Sequence, residues 1–366
     1  MQPVRIYTDP VCREHSAGVG HPERPERMDS VSTVLADLVG EPGITILSGR
    51  DASDEQILRV HTAGHLDAVR ASAGREVTVF DADTAANRHS FAAALRAAGS
   101  ACAAVDAVCA GDARRAFVAT RPPGHHAERD RTMGFCFFNN VAVAAEHARH
   151  AHGLERVAIV DWDVHHGNGT MHHFAADPGV LFVSLHQYPL FPGTGRLEET
   201  GSDAGVGFSL NLPLSAGRTD NDYLYLFDSV IVPLLDRFAP QLVLVSAGYD
   251  AHERDPLGSM LLTSGAFAAM TERLVSVAER SAEGRLVAVL EGGYSLAGLE
   301  SGLRETIAAM VVPEPGFPEA GAAAPAARPA PAGHGAPAGR LVDSVVEELA
   351  EQAAIQLEPV WGSLRA

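Results

Sequence analysis

Short apolar runs alternate with longer stretches of helical periodicity along most of the chain, and this alternation restricts the possible folds. The runs are rich in β-branched residues, and several are apolar on both faces, which is typical of strands covered on both sides of a sheet. They span residues 4–7, 44–47, 116–119, 157–160, 180–185, 208–212, 242–245 and 286–290. Between them, residues 91–110, 140–150, 223–238 and 264–281 have helical spacing. The sequence therefore predicts an α/β fold, a three-layer α/β/α sandwich with a mostly parallel sheet of about eight strands.

The composition changes after residue 312, where proline, alanine and glycine replace the periodic apolar pattern. We therefore predict a folded domain over residues 1–312 and a linker or loop over 313–340. Residues 341–366 contain a predicted amphipathic helix, with Leu341, Val345, Leu349 and Ile355 as its apolar candidates. We expect this helix to dock on the same domain; an oligomerisation helix is the alternative. The oligomeric state stays open between a monomer and a homo-oligomer.

Charge and cysteine content exclude some classes of protein. With 46 acidic and 28 basic residues, the formal net charge is −18, which argues against a general nucleic-acid binder. The four cysteines are scattered and form no C-x-x-C pair, so a reducing compartment fits best. No basic start followed by an apolar run and no stretch of eighteen apolar residues is present. We expect a cytoplasmic protein with neither a nucleic acid nor a membrane as its partner.

Polar and glycine-rich motifs follow the predicted strands, at the edge where open parallel sheets bind ligands. They read RPPGHH, DWDVHHGNG, SLHQYPLFPGTG, SAGYD and EGGY. Asp163 and His165 stand two residues apart, so an extended segment places both side chains on one face. Asp250, after another strand, is the best third ligand. Two carboxylates and one imidazole leave a coordination position for water and substrate, as catalytic zinc sites require.

The adjacent His125 and His126 follow a rigid turn and are candidates for proton transfer. Asp161 is available to hold one imidazole and Asn168 to orient the other. Tyr294, after two glycines, has a hydroxyl that can donate to a developing oxyanion. An isolated pair of histidines or a single tyrosine would more often be a packing feature, so the prediction depends on their coming together at one rim.

Two aromatic residues lie in the rim loops. Phe135 follows Gly134 in GFCFFNN, and Phe191 lies in PLFPGTG. Together they can form a narrow apolar slot for a methylene chain that ends in an amide.

These motifs, in this order, resemble the histone deacetylase and acetylpolyamine amidohydrolase superfamily, whose fold is arginase-like. The match runs from HPERPER near His21 to Tyr294, and the PGHHA and HGNG forms resemble the class II branch and its bacterial relatives. The resemblance implies one Zn²⁺ per chain, a general base and acid, an electrostatic partner pair and a tyrosine that polarises the scissile carbonyl. By this resemblance, Asp163, His165 and Asp250 bind the zinc ion and His126 is the general base and acid. His125 with Asp161 is the electrostatic pair, and Tyr294 polarises the carbonyl.

The resemblance also implies structural K⁺ at two monovalent-cation sites, partly through backbone carbonyls. The first uses Asp161, Asp163, His165, Ser184 and Leu185, and the second Phe174, Asp177 and Val180. Arg27 matches an interior arginine associated with acetate release, with a salt bridge beneath the sheet as the equal alternative. Asn168 stands where the class I branch has a carboxylate, and Tyr294 where some class II enzymes have histidine.

The expected function is hydrolysis of the side-chain amide of acyl-lysine, typically acetyl-lysine, in proteins or peptides. Leu257 stands at a position resembling a gatekeeper, where a glutamate would favour polyamines; Asp81, Asp83 and Glu253 leave an acetylpolyamine deacetylase as the alternative. An arginase-like ureohydrolase is disfavoured because this sequence lacks the D-x-D pair expected of such an enzyme. A non-catalytic acetyl-lysine-binding module is disfavoured because every proposed catalytic residue is present. Acyl-chain length, other small acylated amines as substrates, and zinc against iron stay open.

Several other histidines are interpreted as structural. We expect His147, His150 and His152, and also His172 and His173, to lie on solvated helix faces. His61 and His65 have the i,i+4 spacing of a metal pair, but no neighbouring cluster completes a site.

Overall fold

The structure, a computed structural model, describes residues 3–311 and 342–364. Its strands are β1 Val4–Thr8, β2 Ile44–Ser48, β3 Thr78–Val79, β4 Ala85–Ala86, β5 Arg115–Val118, β6 Val157–Asp161, β7 Val180–Gln187, β8 Ser209–Leu214, β9 Leu242–Ala247 and β10 Leu286–Leu290. Eight of them form one sheet in the order β2-β1-β5-β10-β9-β6-β7-β8, and every pairing in it is parallel. The predicted parallel sheet of about eight strands is confirmed.

Helices cover both faces of this sheet. They are α1 Val11–Glu14, α2 Glu26–Leu38, α3 Asp54–Leu58, α4 Ala63–Arg70, α5 Ser90–Cys109, α6 Asn140–His152, α7 Asn168–Phe174, α8 Asp220–Leu226, α9 Val232–Phe238, α10 Ser264–Ser281, α11 Leu296–Met310 and α12 Ser344–Trp361. One apolar core packs α2 and α8 to α12 against the sheet, and a second packs α3 to α7 against its other face. Alternate residues of β6 enter the two cores, Val160 one and Ile159 the other, as expected for a strand covered on both sides. The three-layer α/β/α sandwich is confirmed.

One predicted helix is interrupted. Residues 223–238 are divided into α8, a π-helical turn over Phe227–Ile231, and α9. Pro233 lies in the first turn of α9 and has no backbone N–H to donate to the preceding turn, which is a physical reason for the altered bonding there.

The C-terminal helix presents a different face from the one predicted. Val345 and Ile355 are 58% and 55% exposed, so those two assignments are wrong; Leu349 is partly buried, and Leu341 lies outside the described residues, as does the predicted linker 313–340. The buried stripe is shifted by about one residue, because small alanines allow the helix backbone to approach β8 and α8 closely. It consists of Val346, Ala350, Ala353, Ala354 and Leu357.

The end of α12 is held by an aromatic contact. The ring of Trp361 lies 4.9 Å from that of Phe208, and its indole N–H donates to the carbonyl of Gly207 at 2.7 Å. Near the other end, Asp343 pairs with Arg218 at 2.6 Å.

One helix in the described residues, α5, is long and apolar enough to cross a membrane by length and composition. It packs against α6 and the sheet, and most of its apolar window is buried, as in the core helix of a globular domain.

Candidate active site and metal centre

Asp163, His165 and Asp250 meet at the carboxyl edge of the sheet, where β6 and β9 end side by side. We call them the metal cluster. His165 Nδ1 lies 3.1 Å from both Asp163 Oδ1 and Asp250 Oδ2. The side chains are buried, with His165 the most exposed at 12%, and the possible ligand atoms all lie within 4.8 Å of one another.

The donors of the metal cluster fit a divalent cation. Burial and the neighbouring Asp163 carboxylate raise the pKa of Asp250, because two anions share a site of low polarity. One imidazole nitrogen cannot satisfy two carboxylates with a single proton, whereas one zinc ion can be bound by all three groups. Gly292 leaves the space open, since a Cβ there would lie 2.2 Å from Asp250 Oδ2 and 2.6 Å from Asp163 Oδ2.

The two adjacent histidines have opposite electrostatic surroundings. His125 Nδ1 lies 2.9 Å from Asp161 Oδ2; burial alone would lower the pKa of His125, but Asp161 and the neighbouring carboxylates raise it well above its usual range. Burial lowers the pKa of His126 well below its usual range, and the charge on His125 lowers it further. His126 donates from Nδ1 to Asn168 Oδ1 at 2.7 Å. His126 is therefore neutral with a free Nε2, as a base requires, beside a cationic His125.

Tyr294 lies across the cavity from these histidines. Its backbone N–H donates to Asp255 Oδ2 at 2.6 Å, and Asp255 Oδ1 accepts from the N–H of Leu257 at 3.0 Å. Burial raises the pKa of the Tyr294 phenol well above 10, so the group stays protonated and can donate. Asp255 thus joins the tyrosine loop to the loop at the mouth of the site.

Arg27 lies behind Tyr294, fully buried, with its guanidinium 5.1 Å from the centre of the tyrosine ring. It donates to Glu23 at 3.0 Å and to the carbonyls of Gly293 and Glu291 at 2.8 and 2.5 Å. The predicted interior salt bridge is present, and an acetate-release role stays a prediction.

A cavity of about 270 Å³ leads from the surface to this site. Phe191 is 38% exposed at its mouth, and its ring centre lies 5.1 Å from that of His126, while the ring of Phe135 lies 5.8 Å from that of Tyr294. Gly134 has φ +55°, and a Cβ there would lie 2.5 Å from the His126 ring, so only glycine leaves the slot open. The lining residues are Asp83, His126, Gly134, Phe135, His165, Leu190, Phe191, Leu257 and Tyr294.

The residues predicted for monovalent cations fall into two places. Asp161 pairs in the sheet with Ser184 on one side and Ser246 on the other, next to Leu185, Asp163 and His165. The Ser246 hydroxyl is buried with no partner among the described residues, so its oxygen is available as a ligand. Phe174, Asp177 and Val180 form the turn between α7 and β7, where the Asp177 N–H donates to the carbonyl of Phe174.

Comparison with known proteins identifies the family. A model of the histone deacetylase domain matches residues 21–310. The chain belongs to the histone deacetylase family. It is therefore a hydrolytic deacetylase, of a family whose members depend on zinc.

Individual relatives agree with this assignment. A histone deacetylase-like amidohydrolase of Pseudomonas aeruginosa is 45% identical over 79% of this chain and 81% of its own length. The human polyamine deacetylase HDAC10 is 38% identical over 87% of this chain and 48% of its own length. The crystal structure of an HDA15 HD domain superposes with a TM-score of 0.88 at 32% identity, covering 99% of this chain and 98% of that one.

A second group of histidines resembles a metal site in composition. We call it the helix cluster; it consists of Asp106, His147 and His152 on α5 and α6. His147 is 7% exposed, so its predicted solvated position is wrong, whereas the side chain of His150 is 59% exposed as expected. Asp106 Oδ1 lies 2.7 Å from Nε2 of both histidines in the cluster, and its other oxygen pairs with Arg50 at 2.6 Å.

The remaining histidines have hydrogen-bonding roles. The side chain of His172 is 47% exposed and that of His173 is 15% exposed, and each bonds a carboxylate, so the solvated position predicted for His173 is wrong. His61 is buried; its Nδ1 donates to the carbonyl of Glu128, and its Nε2 accepts from the N–H of Asn139. His65 Nε2 donates to the carbonyl of Phe137, so neither ring of the i,i+4 pair is directed at a metal.

Sequence reasoning missed several carboxylates around the site. Asp255 holds the Tyr294 loop, Glu291 accepts from the N–H of His125, and Glu128 binds the amide of Asn168. Glu128 directly follows the PGHHA motif and Glu291 begins EGGY, but nothing in their spacing shows whether their side chains point inward.

Proposed function

We propose that the protein hydrolyses the side-chain amide of acetyl-lysine in peptides or proteins, releasing the lysine amine and acetate. The observation that carries the proposal is the narrow aromatic slot that ends at the metal cluster, His126 and Tyr294. A lysine side chain supplies four methylene groups, which fit between Phe135 and Phe191, and an amide at the end to be cleaved. The peptide backbone would stay at the mouth near Leu257.

The proposed metal ligands are Asp163, His165 and Asp250. When bound there, zinc supplies a Lewis acid for the carbonyl oxygen and lowers the pKa of water to about 7. The remaining steps fall to the protein. His126 Nε2 accepts the proton of the attacking water and later transfers it to the departing amine, while cationic His125, held by Asp161, compensates negative charge at the reaction centre.

Tyr294 is the proposed donor to the oxyanion. Its phenol stays protonated because the site is buried, and Asp255 and Arg27 hold its loop and ring in place. A preorganised donor of this kind contributes about 3–4 kcal/mol to the transition state.

Acetylpolyamine hydrolysis is the second candidate. The name of the human relative and the carboxylate of Asp83, which lines the slot, favour it. Leu257 favours the lysine substrate, because a neutral side chain at this position adds no attraction to a second ammonium group.

Further parts of the proposal concern ions and location. The oxygen atoms of Asp161, Ser184 and Ser246 support a structural K⁺, because the Ser246 hydroxyl has no partner in the described part of the chain. The carbonyls of the α7–β7 turn are proposed for a second K⁺. Buried free thiols at Cys12, Cys102 and Cys136 support a reducing, cytoplasmic location.

A substrate panel tests the proposal. The zinc-loaded protein is assayed with an acetyl-lysine peptide, the same peptide with longer acyl groups, and N8-acetylspermidine. We expect the highest kcat/KM for the acetyl-lysine peptide, and loss of activity with a hydroxamate. A preference for N8-acetylspermidine would replace the first candidate with the second, and metal binding without hydrolysis of any amide would indicate a binding module.

A further inference from the structure

Glu128, which is not among the proposed catalytic residues, contacts Asn168, the hydrogen-bond partner of the proposed base His126. Glu128 Oε1 accepts a hydrogen bond from Asn168 Nδ2 at 2.6 Å and lies 2.8 Å from His172 Nδ1. The opposite atom of the same amide, Asn168 Oδ1, accepts from His126 Nδ1 at 2.7 Å. A single chain of hydrogen bonds therefore joins His172, near the surface, to His126 in the catalytic site.

The chain permits only one orientation of the Asn168 amide. Rotating the amide by half a turn would direct Oδ1 at the Glu128 carboxylate and place two acceptors 2.6 Å apart. It would also direct the NH₂ group at His126 Nδ1, forcing the ring proton onto Nε2. A ring protonated at Nε2 has no lone pair facing the metal cluster, so it cannot act as the base.

Glu128 is suited to this role by its charge and its support. Burial would raise the pKa of Glu128, but His172 and Asn168 outweigh it and lower that pKa, so the side chain is a carboxylate at neutral pH. Its side chain is only 11% exposed. The backbone is held by a bond from its N–H to the carbonyl of Arg131 and by the His61 ring on its own carbonyl.

We propose that Glu128 is a positioning residue of the deacetylase: it fixes the orientation of the Asn168 amide and, through it, the Nδ1–H tautomer of His126. The proposal rests on the proposed function of the same site and adds a specific residue to its proton-transfer machinery. A carboxylate directly on the histidine would accept from Nδ1–H in either orientation. An asparagine needs outside groups to distinguish its oxygen from its nitrogen. Asn168 Nδ2 has two such acceptors, the carbonyl of His126 at 3.3 Å and the carboxylate of Glu128 at 2.6 Å, and the shorter, charged contact is the one with Glu128.

Three variants of the full chain test the proposal. Glu128→Ala removes the acceptor, whereas Glu128→Gln removes the charge but keeps one oxygen for Asn168. Glu146→Ala is the matched control, because Glu146 bonds the adjacent His173 at 3.0 Å. In the structure this bond is separate from the chain through Glu128 and Asn168. Each zinc-loaded variant is assayed with the acylated amide that the wild type hydrolyses fastest, together with metal content and melting temperature.

We expect Glu128→Ala to lower kcat about tenfold or more, with KM changed by less than about twofold and zinc retained. Glu128→Gln should retain most of the wild-type kcat, and Glu146→Ala should keep all of it. Wild-type kcat in Glu128→Ala, or an equal loss in Glu146→Ala, would overturn the proposal. If the wild type hydrolyses another amide instead of acetyl-lysine, the proposed function fails while this test still applies.

Asn168→Asp provides a background in which the orientation no longer matters. We expect Glu128→Ala to have little effect on kcat there, or to raise it, because two facing carboxylates are reduced to one. An equal fold-loss in both backgrounds would indicate general structural support and contradict the proposal, even if both Glu128 variants are less stable than the wild type.

The tautomer can be observed directly. Nitrogen-15 spectra of the zinc-loaded protein, with the His126 ring assigned by its loss in His126→Gln, should show Nδ1–H in the wild type and a mixture of tautomers in Glu128→Ala. An unchanged tautomer in Glu128→Ala would contradict the proposal.

Discussion

The metal cluster and the helix cluster contain the same kinds of side chain but have different surroundings. The metal cluster has two carboxylates for one imidazole and is buried at the end of a cavity. The helix cluster has one carboxylate for two imidazoles, and Arg50 already pairs with that carboxylate. An excess of buried negative charge therefore distinguishes a site that fits a dication from a cluster satisfied by hydrogen bonds.

Hydrogen bonding strengthens this difference. Gln56 Nε2 donates to His147 Nδ1 at 3.1 Å, because its own carbonyl accepts from the N–H of Ser53 at the start of α3. The proton of a neutral His147 must then lie on Nε2, facing Asp106, where a metal would need a lone pair. The distances alone make the two clusters look equivalent, but the positions of their protons distinguish them.

The largest expected effect comes from removing one carboxylate from the metal cluster. The same change in the helix cluster serves as the comparison. Asp250→Asn should abolish zinc binding and lower turnover by about three orders of magnitude or more, since several kcal/mol of transition-state stabilisation depend on the metal. Asp106→Asn should keep both zinc and turnover. Metal analysis and initial rates of the two variants compare the clusters, and loss of zinc in Asp106→Asn would invalidate the distinction.

Tyr294→Phe tests the proposed oxyanion donor on the cavity side of the metal cluster. We expect turnover to fall about a hundredfold or more while zinc stays bound, because the donor to the oxyanion is lost and the aromatic packing is kept. Steady-state kinetics and metal content are the measurements. Turnover close to that of the wild type would remove Tyr294 from the mechanism.

Leu257→Glu tests the mouth of the same cavity. An added carboxylate should shift the ratio of kcat/KM values toward N8-acetylspermidine, relative to the acetyl-lysine peptide, by about fivefold to tenfold at low salt. Leu257→Gln is the control for shape. If both variants behave alike, charge at this position does not select the substrate.

The smallest effect concerns the helix cluster. The side chain of Asp106 is 41% exposed, so we expect Asp106→Asn to lower the free energy of unfolding by only about 0.5–1 kcal/mol at pH 7. Burial would raise the pKa of Asp106, but His147, His152 and Arg50 lower it well below its usual range.

A depressed pKa in the folded state fixes the pH dependence of that difference. The contribution of Asp106 is fully present above the unfolded-state pKa near 4 and is lost as the pH falls toward the folded value. Urea denaturation of wild type and Asp106→Asn should give a smaller difference at about pH 3 than at about pH 5. A difference that grows between about pH 5 and pH 3 would contradict this assignment.

The order of the strands' polar motifs made much of the site predictable, because parallel strands deliver their carboxyl ends to one edge. The two-residue spacing predicts Asp163 and His165, and the position after another strand predicts Asp250; the three meet within hydrogen-bonding distance. The roles of these residues stay predictions until the variants are measured.

Other features depend on the packing of helices and loops, which sequence spacing does not determine. The position of His147 on a helix predicts a solvated side chain, yet Gln56 and Asp106 enclose it. The predicted apolar face of α12 is wrong because two of the large side chains that define it, Val345 and Ile355, are exposed. The sequence does not mark Glu128, because a glutamate beside histidines is ordinary and its partner Asn168 lies 40 residues away on α7.

Zinc stoichiometry measured together with activity tests the central claim most directly. The wild-type chain is stripped with a chelator, titrated with zinc, and assayed on the acetyl-lysine peptide at each point. We predict that hydrolysis rises linearly to a plateau at one zinc per chain and that the Asp106→Asn variant gives the same curve. Full activity in the stripped protein, or a plateau that requires two zinc ions per chain, would contradict a single catalytic metal at Asp163, His165 and Asp250.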